Sequence, residues 1–212
     1  MRTVIGLCGY AQSGKDTAAN ALIEQRGFVK VAFADPLREA MAALNPIVGE
    51  RFEYGLMEVK SVPVRYNEAL ETYGYNEAKQ KFPEVRRLLQ VFGTEVGRQQ
   101  FSDTFWTDLA IKKINALPQY QPVVITDVRF PNEVSVIRDF MGIVVRITRP
   151  GVDAVNQHVS DTNVASLNAD IDLVNRGTVE DLHRMICQVA DSNALFGNVE
   201  PTLFTEDDSW AV

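Results

Sequence analysis

Gly9-Tyr10-Ala11-Gln12-Ser13-Gly14-Lys15-Asp16-Thr17 places glycines and a lysine at the spacing G-x-x-x-x-G-K, directly after the apolar run Val4-Ile5-Gly6-Leu7-Cys8. These residue types at this spacing suit one task, the holding of a phosphate chain. Glycines let a loop wrap with its backbone N–H groups turned inward, a helix starting behind it adds a positive end, and Lys15 supplies a mobile full charge. Thr17-Ala18-Ala19-Asn20-Ala21-Leu22-Ile23 reads as that helix. The competing reading, a tight turn without a ligand, is disfavoured by the strand before it and the helix after it. In the commonest loop of this type a Ser or Thr follows the lysine and binds Mg²⁺. Here Asp16 follows, and the hydroxyl comes one place later at Thr17. Either Asp16 lies near the hydrated metal or Thr17 acts from the next position.

A second carboxylate of interest is Asp127, which ends the apolar segment Val123-Val124-Ile125-Thr126. A strand finishing in an acid would set that carboxylate at the C-terminal edge of a parallel sheet, beside the phosphate loop, although the same short pattern ends many ordinary strands. Arg38, Arg86, Arg87, Arg98, Arg129 and Arg149 could meet further phosphate charge. Arg86 and Arg98 serve equally well as solvated helix residues. Arg149, before Pro150-Gly151, reads either as a strand-end charge or as a lid arginine.

The elements that must position these groups alternate. After the first helix, Phe28 to Ala34 reads as a strand closing at Asp35-Pro36, and a helix follows with Leu37, Ala40, Met41 and Leu44 on one face. Strand, helix, strand, helix is a βαβ opening and implies a parallel sheet with right-handed crossovers. About 45–83 is broken by Gly49, Gly55, Pro63 and Gly74 and carries Tyr54, Tyr66, Tyr73 and Tyr75 among charges. It reads as an irregular insertion, either a mobile cover over substrate or a decorated surface loop. Its tyrosines could stack a base or simply pack.

From Glu84 the residues Val85, Leu88, Leu89, Phe92 and Val96 predict one helical stripe, in which Gly93 marks close packing or approach to a ligand. A further helix starts near Ser102-Asp103 with Trp106, Leu109, Ala110 and Ile114 inward. Val123 to Asp127 follows, then a helix opened by Pro131, a strand at Ile143 to Ile147, and a short strand at Ile171 to Val174. The last helix carries Val179, Leu182, Ile186 and Val189 behind a Thr178–Asp181 capping pair. From about Asp191 the periodicity fades into an acidic tail, 191–212. The expected fold is a single α/β domain of three layers, about five parallel strands flanked by helices, with the insertion covering substrate.

Composition narrows the function classes. The chain has 212 residues, 46% hydrophobic and 23% charged, an ordinary globular balance with room for a substantial core. Its formal charge is −7, from 21 basic and 28 acidic side chains, which argues against a broad nucleic-acid-binding face and leaves a local basic pocket for a small phosphorylated substrate. No apolar run is long enough for a membrane span and no leader is evident, so reducing cytosol is the expected location. Cys8 and Cys187 suggest neither a disulfide framework nor a metal cluster, and two histidines do not make a zinc site.

Several motifs in order resemble those of the phage-type deoxynucleoside monophosphate kinases, within the P-loop nucleotide kinases: Gly9 with Ser13-Gly14-Lys15-Asp16-Thr17; Phe33-Ala34-Asp35-Pro36-Leu37; Arg86-Arg87-Leu88-Leu89-Gln90 with Gly93-Thr94-Glu95; Thr126-Asp127-Val128-Arg129 with Glu133; and Arg149-Pro150-Gly151. The Lys-x-Thr order is also what such small-molecule kinases tend to show. The resemblance implies transfer of the ATP γ-phosphoryl group to the 5′-phosphate of a deoxynucleoside monophosphate, with Mg²⁺. An acceptor that is already a phosphate oxygen needs little deprotonation, so arginines and a metal are expected rather than a nucleophile with a histidine base.

On that resemblance Gly9, Gln12, Ser13, Gly14, Lys15, Asp16 and Thr17 hold the ATP phosphates, with Arg149 approaching ATP and Asn175 and Gly177 against the adenine. Lys15, Asp127 and Arg129 carry the catalysis, and Asp16, Thr17 and Asp127 place the metal. Asp35, Arg38, Arg87 and Arg129 form the monophosphate site, with Gln90 and Thr94 reading base or sugar. His158 matches a family His-x-Ser-acid pattern with Asp161 in place of Glu and is not assigned to the site. The resemblance allows a homodimer, for which the two helices after the insertion offer apolar surface, and the same stripes serve equally to face a core. Two other readings remain at this stage: a P-loop kinase of another phosphorylated metabolite, such as dephospho-coenzyme A or phosphomevalonate, and an ATP-binding regulatory module without an acceptor.

Overall fold

The computed structural model describes residues 2–55, 58–152 and 163–196. His158 and the acidic stretch beyond Phe196 lie outside the described residues. The described chain forms two compact units, one from the residues up to Phe33 and from Ala110 onward, the other Ala34–Leu109.

The first unit is built on a five-stranded parallel sheet in the order β2-β5-β1-β6-β7, with β1 Val4–Cys8, β2 Val29–Val31, β5 Val123–Ile125, β6 Ile143–Thr148 and β7 Ile171–Val174. β1 and β5 are buried at every position, as strands covered on both faces must be. That is why both read from the sequence as unbroken apolar runs rather than as alternations. Helix α1, Lys15–Arg26, turns Ala18, Ala19, Ala21 and Leu22 inward, and α7, Val179–Phe196, packs beside it with Leu182, Ile186, Cys187 and Ala190. The opposite face is filled by Val134, Val136 and Ile137 of α6, Pro131–Asp139, and by Ala110 and Ile114 of α5, Phe105–Ala116.

This strand order has a mechanical consequence. The β1-α1-β2 crossover runs one way along the sheet and β5-α6-β6 runs the other, so the order reverses beside β1. A crevice opens at such a point, at the carboxyl ends of the strands, and Gly9 is the first residue beyond β1 there.

The second unit holds α2 Asp35–Leu44, a β3–β4 hairpin of Ile47–Tyr54 and Val59–Arg65, α3 Tyr66–Lys81 with a break at Gly74, α4 Pro83–Gln90, and a π-helix, Val91–Phe101. Its core is Met41, Val48, Val64, Tyr66, Ala69, Ala78, Phe82, Val85 and Leu89.

Several expectations change. The stretch 45–83, read as irregular, contains an antiparallel hairpin and a broken helix. The hairpin escapes pattern reading because most of its residues are exposed on both faces, which removes the alternation that marks a half-buried strand. The single α-helical stripe from Glu84 to Val96 ends at Gln90, where wider winding takes over. Trp106 packs on this segment: its indole N–H donates to Gly93 O at 2.7 Å, and its ring lies where a Cβ on Gly97 would be, 2.4 Å from Nε1. The strand at Phe28 to Ala34 shortens to three residues, and the strand before Asp127 ends at Ile125. Helix α7 runs beyond Asp191, which is tied to Arg26 of α1 at 2.7 Å.

Candidate active site

The loop from Gly9 to Gly14 is closed by local constraints. Gly9 stands at φ +144°, and a Cβ there would lie 2.3 Å from Ile147 O and 2.8 Å from Ser13 Oγ. Gly14 stands at φ +109° as the residue capping α1, and a Cβ on it would lie 2.6 Å from Asn175 Nδ2. Gln12 takes φ 67°, a left-handed conformation that costs a non-glycine residue about 1–2 kcal/mol. Ser13 N–H donates to Tyr10 O at 3.2 Å, completing the turn. The start of α1 has no side-chain cap, the arrangement by which a helix offers its first N–H groups to an anion.

Lys15 curls back over this loop, its ammonium donating to Gly9 O at 2.7 Å and Tyr10 O at 2.6 Å. Ser13 Oγ is buried and has no hydrogen-bond partner among the described residues. A cradle kept clear of side-chain carbon at both ends, a buried hydroxyl lacking a partner and an ammonium over the mouth fit a phosphate chain.

The metal candidates separate. Asp16 is the most exposed of them, its side chain 85% accessible and paired to Lys30 at 3.6 Å. Thr17 is half-buried in the first turn of α1. Asp127 stands two residues past β5 and accepts the Phe33 N–H at 2.8 Å through Oδ1, while the neighbouring Val128 N–H donates to Leu7 O at 3.2 Å. The two bonds hold Asp127 at the edge where β1 and β2 end. Among the described residues no three acidic, histidine or cysteine side chains gather as a self-sufficient metal cage. A Mg²⁺ carried in with nucleotide phosphates needs only one or two protein oxygens, and the Thr17 hydroxyl and the Asp127 carboxylate are donors of the type it takes.

Arg129 is exposed, and its backbone is fixed by Glu133, whose Oε2 accepts the N–H groups of Arg129 at 2.7 Å and Phe130 at 3.1 Å. Glu133 is 3% exposed, a buried carboxylate whose work is to shape this turn. It belongs with the site, and its signal in the sequence was an acid three residues past Phe130, behind Pro131. Arg149 is exposed just beyond β6.

Asn175 and Gly177 have local duties. Asn175 is buried, its Nδ2 donating to Ser13 O at 3.0 Å. Gly177 leaves room for Asp181, whose Oδ2 would be 2.4 Å from a Cβ there. Asp181 in turn accepts from Thr178 N–H at 2.9 Å and donates its own N–H to Thr178 Oγ1 at 3.2 Å, the expected capping pair. Cys8, at the end of β1, has its thiol pushed up to about 11 by burial, against the pull of Arg146, which keeps it protonated at neutral pH.

In the second unit Asp35 and Arg38 meet at 3.1 Å, and the Arg38 guanidinium lies over the Tyr75 ring at 4.9 Å. Lys79 lies over the same ring at 4.2 Å. Arg87 makes a two-pronged pair with Glu84, at 2.7 and 2.6 Å, which holds the Glu84 carboxyl below its usual range. Gln90 and Thr94 are exposed, on α4 and on the π-helix respectively.

A parallel sheet whose order reverses at β1, with a glycine-bounded, lysine-stapled loop running into α1, defines a P-loop nucleotide-binding protein. The family model of deoxynucleotide monophosphate kinase matches residues 53–186, and the chain belongs to that family. A relative from Acanthamoeba polyphaga mimivirus is 32% identical over 205 residues, covering 89% of this chain and 96% of its own. The deoxynucleotide monophosphate kinase of Enterobacteria phage T4 is 23% identical, covering 86% of this chain and 96% of its own. The deoxynucleoside-5′-monophosphate kinase of Escherichia phage T5 is 27% identical, covering 66% and 73%.

Proposed function

We propose that this chain transfers the γ-phosphoryl group of ATP to the 5′-phosphate of a deoxynucleoside monophosphate, giving the diphosphate and ADP. The observation that carries the reading is the phosphate cradle of Gly9, Ser13, Gly14 and Lys15 in a chain of this family. Family membership also favours this acceptor over dephospho-coenzyme A or phosphomevalonate, and over a module without an acceptor.

Gln12, Ser13 and the first turn of α1 bind the donor phosphates through backbone N–H groups, and Lys15 exchanges its two carbonyl partners for phosphate oxygens. Mg²⁺, bound with the nucleotide beside Thr17 and Asp127, would neutralise phosphate charge. Arg129, set by Glu133, meets the phosphoryl group in transfer. An oxygen of the acceptor phosphate forms the new bond to phosphorus as the bond to the β,γ-bridging oxygen breaks, and that oxygen leaves on ADP with its electron pair. We assign the acceptor to the second unit, with Asp35 and Arg38 at its phosphate and Gln90 and Thr94 toward base or sugar. Arg87 joins them by releasing Glu84, an exposed pair that costs little to part.

ADP release with Mg-ATP and a panel of deoxy- and ribonucleoside monophosphates tests this reading. Release that depends on at least one deoxynucleoside monophosphate is expected, and release that ignores every member of the panel would refute it.

A further inference from the structure

Asn175 is the first residue beyond β7, 162 positions from the loop it touches. It is 8% exposed, its backbone N–H donates to Thr148 O at 2.7 Å, and its side-chain amide donates to Ser13 O at 3.0 Å. An acceptor carbonyl faces the amide, so the chemistry of the partner identifies the group there as NH₂. The same nitrogen would stand 2.6 Å from a Cβ on Gly14, so the amide lies directly against the Ser13–Gly14 peptide.

That contact sets a direction. In a trans peptide the carbonyl and the following N–H point opposite ways, and this chain has no cis bond among its described residues. Holding Ser13 O therefore turns Gly14 N–H away from Asn175 and fixes its direction. A phosphate-binding loop needs a fixed N–H direction, and a free peptide unit could rotate out of it.

We propose that Asn175 is a positioning residue that locks the Ser13–Gly14 peptide for phosphate binding, rather than a reader of adenine. The inference rests on the kinase reading above only in taking the loop's ligand to be the phosphate chain of a nucleoside triphosphate. It makes Asn175 indifferent to the base.

The test compares magnesium tripolyphosphate, which has no base, with Mg-ATP by titration calorimetry, for the wild type and for Asn175→Leu and Asn175→Asp. The lost hydrogen bond is expected to weaken both ligands by a similar factor, about tenfold. A loss confined to ATP, or unchanged affinity for both, would overturn the proposal. The Asn175 side-chain amide signal of ¹⁵N-labelled wild-type protein gives a second readout that needs no variant. It should shift with tripolyphosphate as it does with ATP, and a response to ATP alone also refutes the lock. A wild type that binds neither ligand would instead remove the phosphate-loop reading itself, and the lock with it.

Discussion

Lys15 spends its ammonium on two carbonyl oxygens of its own loop, so its role in folding and its role toward phosphate can be separated. Part-buried bonds from a charged donor to backbone contribute about 1.5–3 kcal/mol each, below the stability of an ordinary domain, whereas a cation aimed at developing phosphate charge is worth about 10²-fold or more in rate. Lys15→Ala is therefore expected to lower kcat by at least about a hundredfold while the protein stays folded, read by circular dichroism beside the ADP-release assay. Near-normal turnover in the folded variant would remove Lys15 from the chemistry. At this scale the sequence told residue types well and partners poorly. Lys15, Gly9 and Gly14 declare themselves by spacing, and Glu133 stands close enough to Arg129 in the chain for its part to be read. Asn175 does not, because its partner is 162 positions away and nothing local marks an asparagine as bonded inward.

Among the elements, α7 offers the clearest handle on pH. Its Thr178–Asp181 cap holds the Asp181 carboxyl below its ordinary range, first through the Thr178 backbone N–H and then through the Thr178 hydroxyl. A carboxyl depressed in the folded state binds its proton more weakly there than in the unfolded chain. Its contribution to stability is thus present above the unfolded value, about 4, and fades as pH falls through the lower folded one. Thermal melts should show Asp181→Ala less stable than wild type at pH 7, with the gap closing toward pH 2. A gap that stays constant over that range would mean the side chain works by packing instead. The elements also show why patterns succeed or fail. β1 and β5 are legible because burial on both faces writes an apolar run, and α1 because small residues line its inner side. The hairpin is illegible because little of it is buried. The π-helix is illegible because no apolar period marks the change of winding, and its contacts with Trp106 come from the following helix.

For the whole molecule, charge is the property that sequence alone supplies. A formal −7 opposes the phosphates of a nucleic acid at long range, while cations held at particular points, such as Lys15, Arg38 and Arg129, remain able to meet small anions. Fluorescence anisotropy with labelled duplex DNA should accordingly show no binding at about 10 μM protein and 150 mM salt, where basic proteins bind without sequence preference. A salt-sensitive rise in anisotropy would contradict the assignment to small-molecule chemistry. Among the described residues no helix is long and apolar enough to cross a membrane. The parallel sheet was legible because its strands announce themselves one at a time. The extent of the second unit, Ala34–Leu109, was not, since it takes in α2 and α4, which look from the sequence like further turns of the same βα alternation.

The loop's two glycines also bear on heredity. Gly9 and Gly14 are each excluded from replacement on two independent grounds, a backbone angle that L side chains resist and an occupied space, carbonyl oxygen at one and amide nitrogen at the other. Relief of either ground leaves the other standing, so no second-site change in a neighbouring side chain can rescue a substitution at these positions. Both codons are accordingly expected to tolerate little beyond synonymous change, which a saturation library selected for turnover would check.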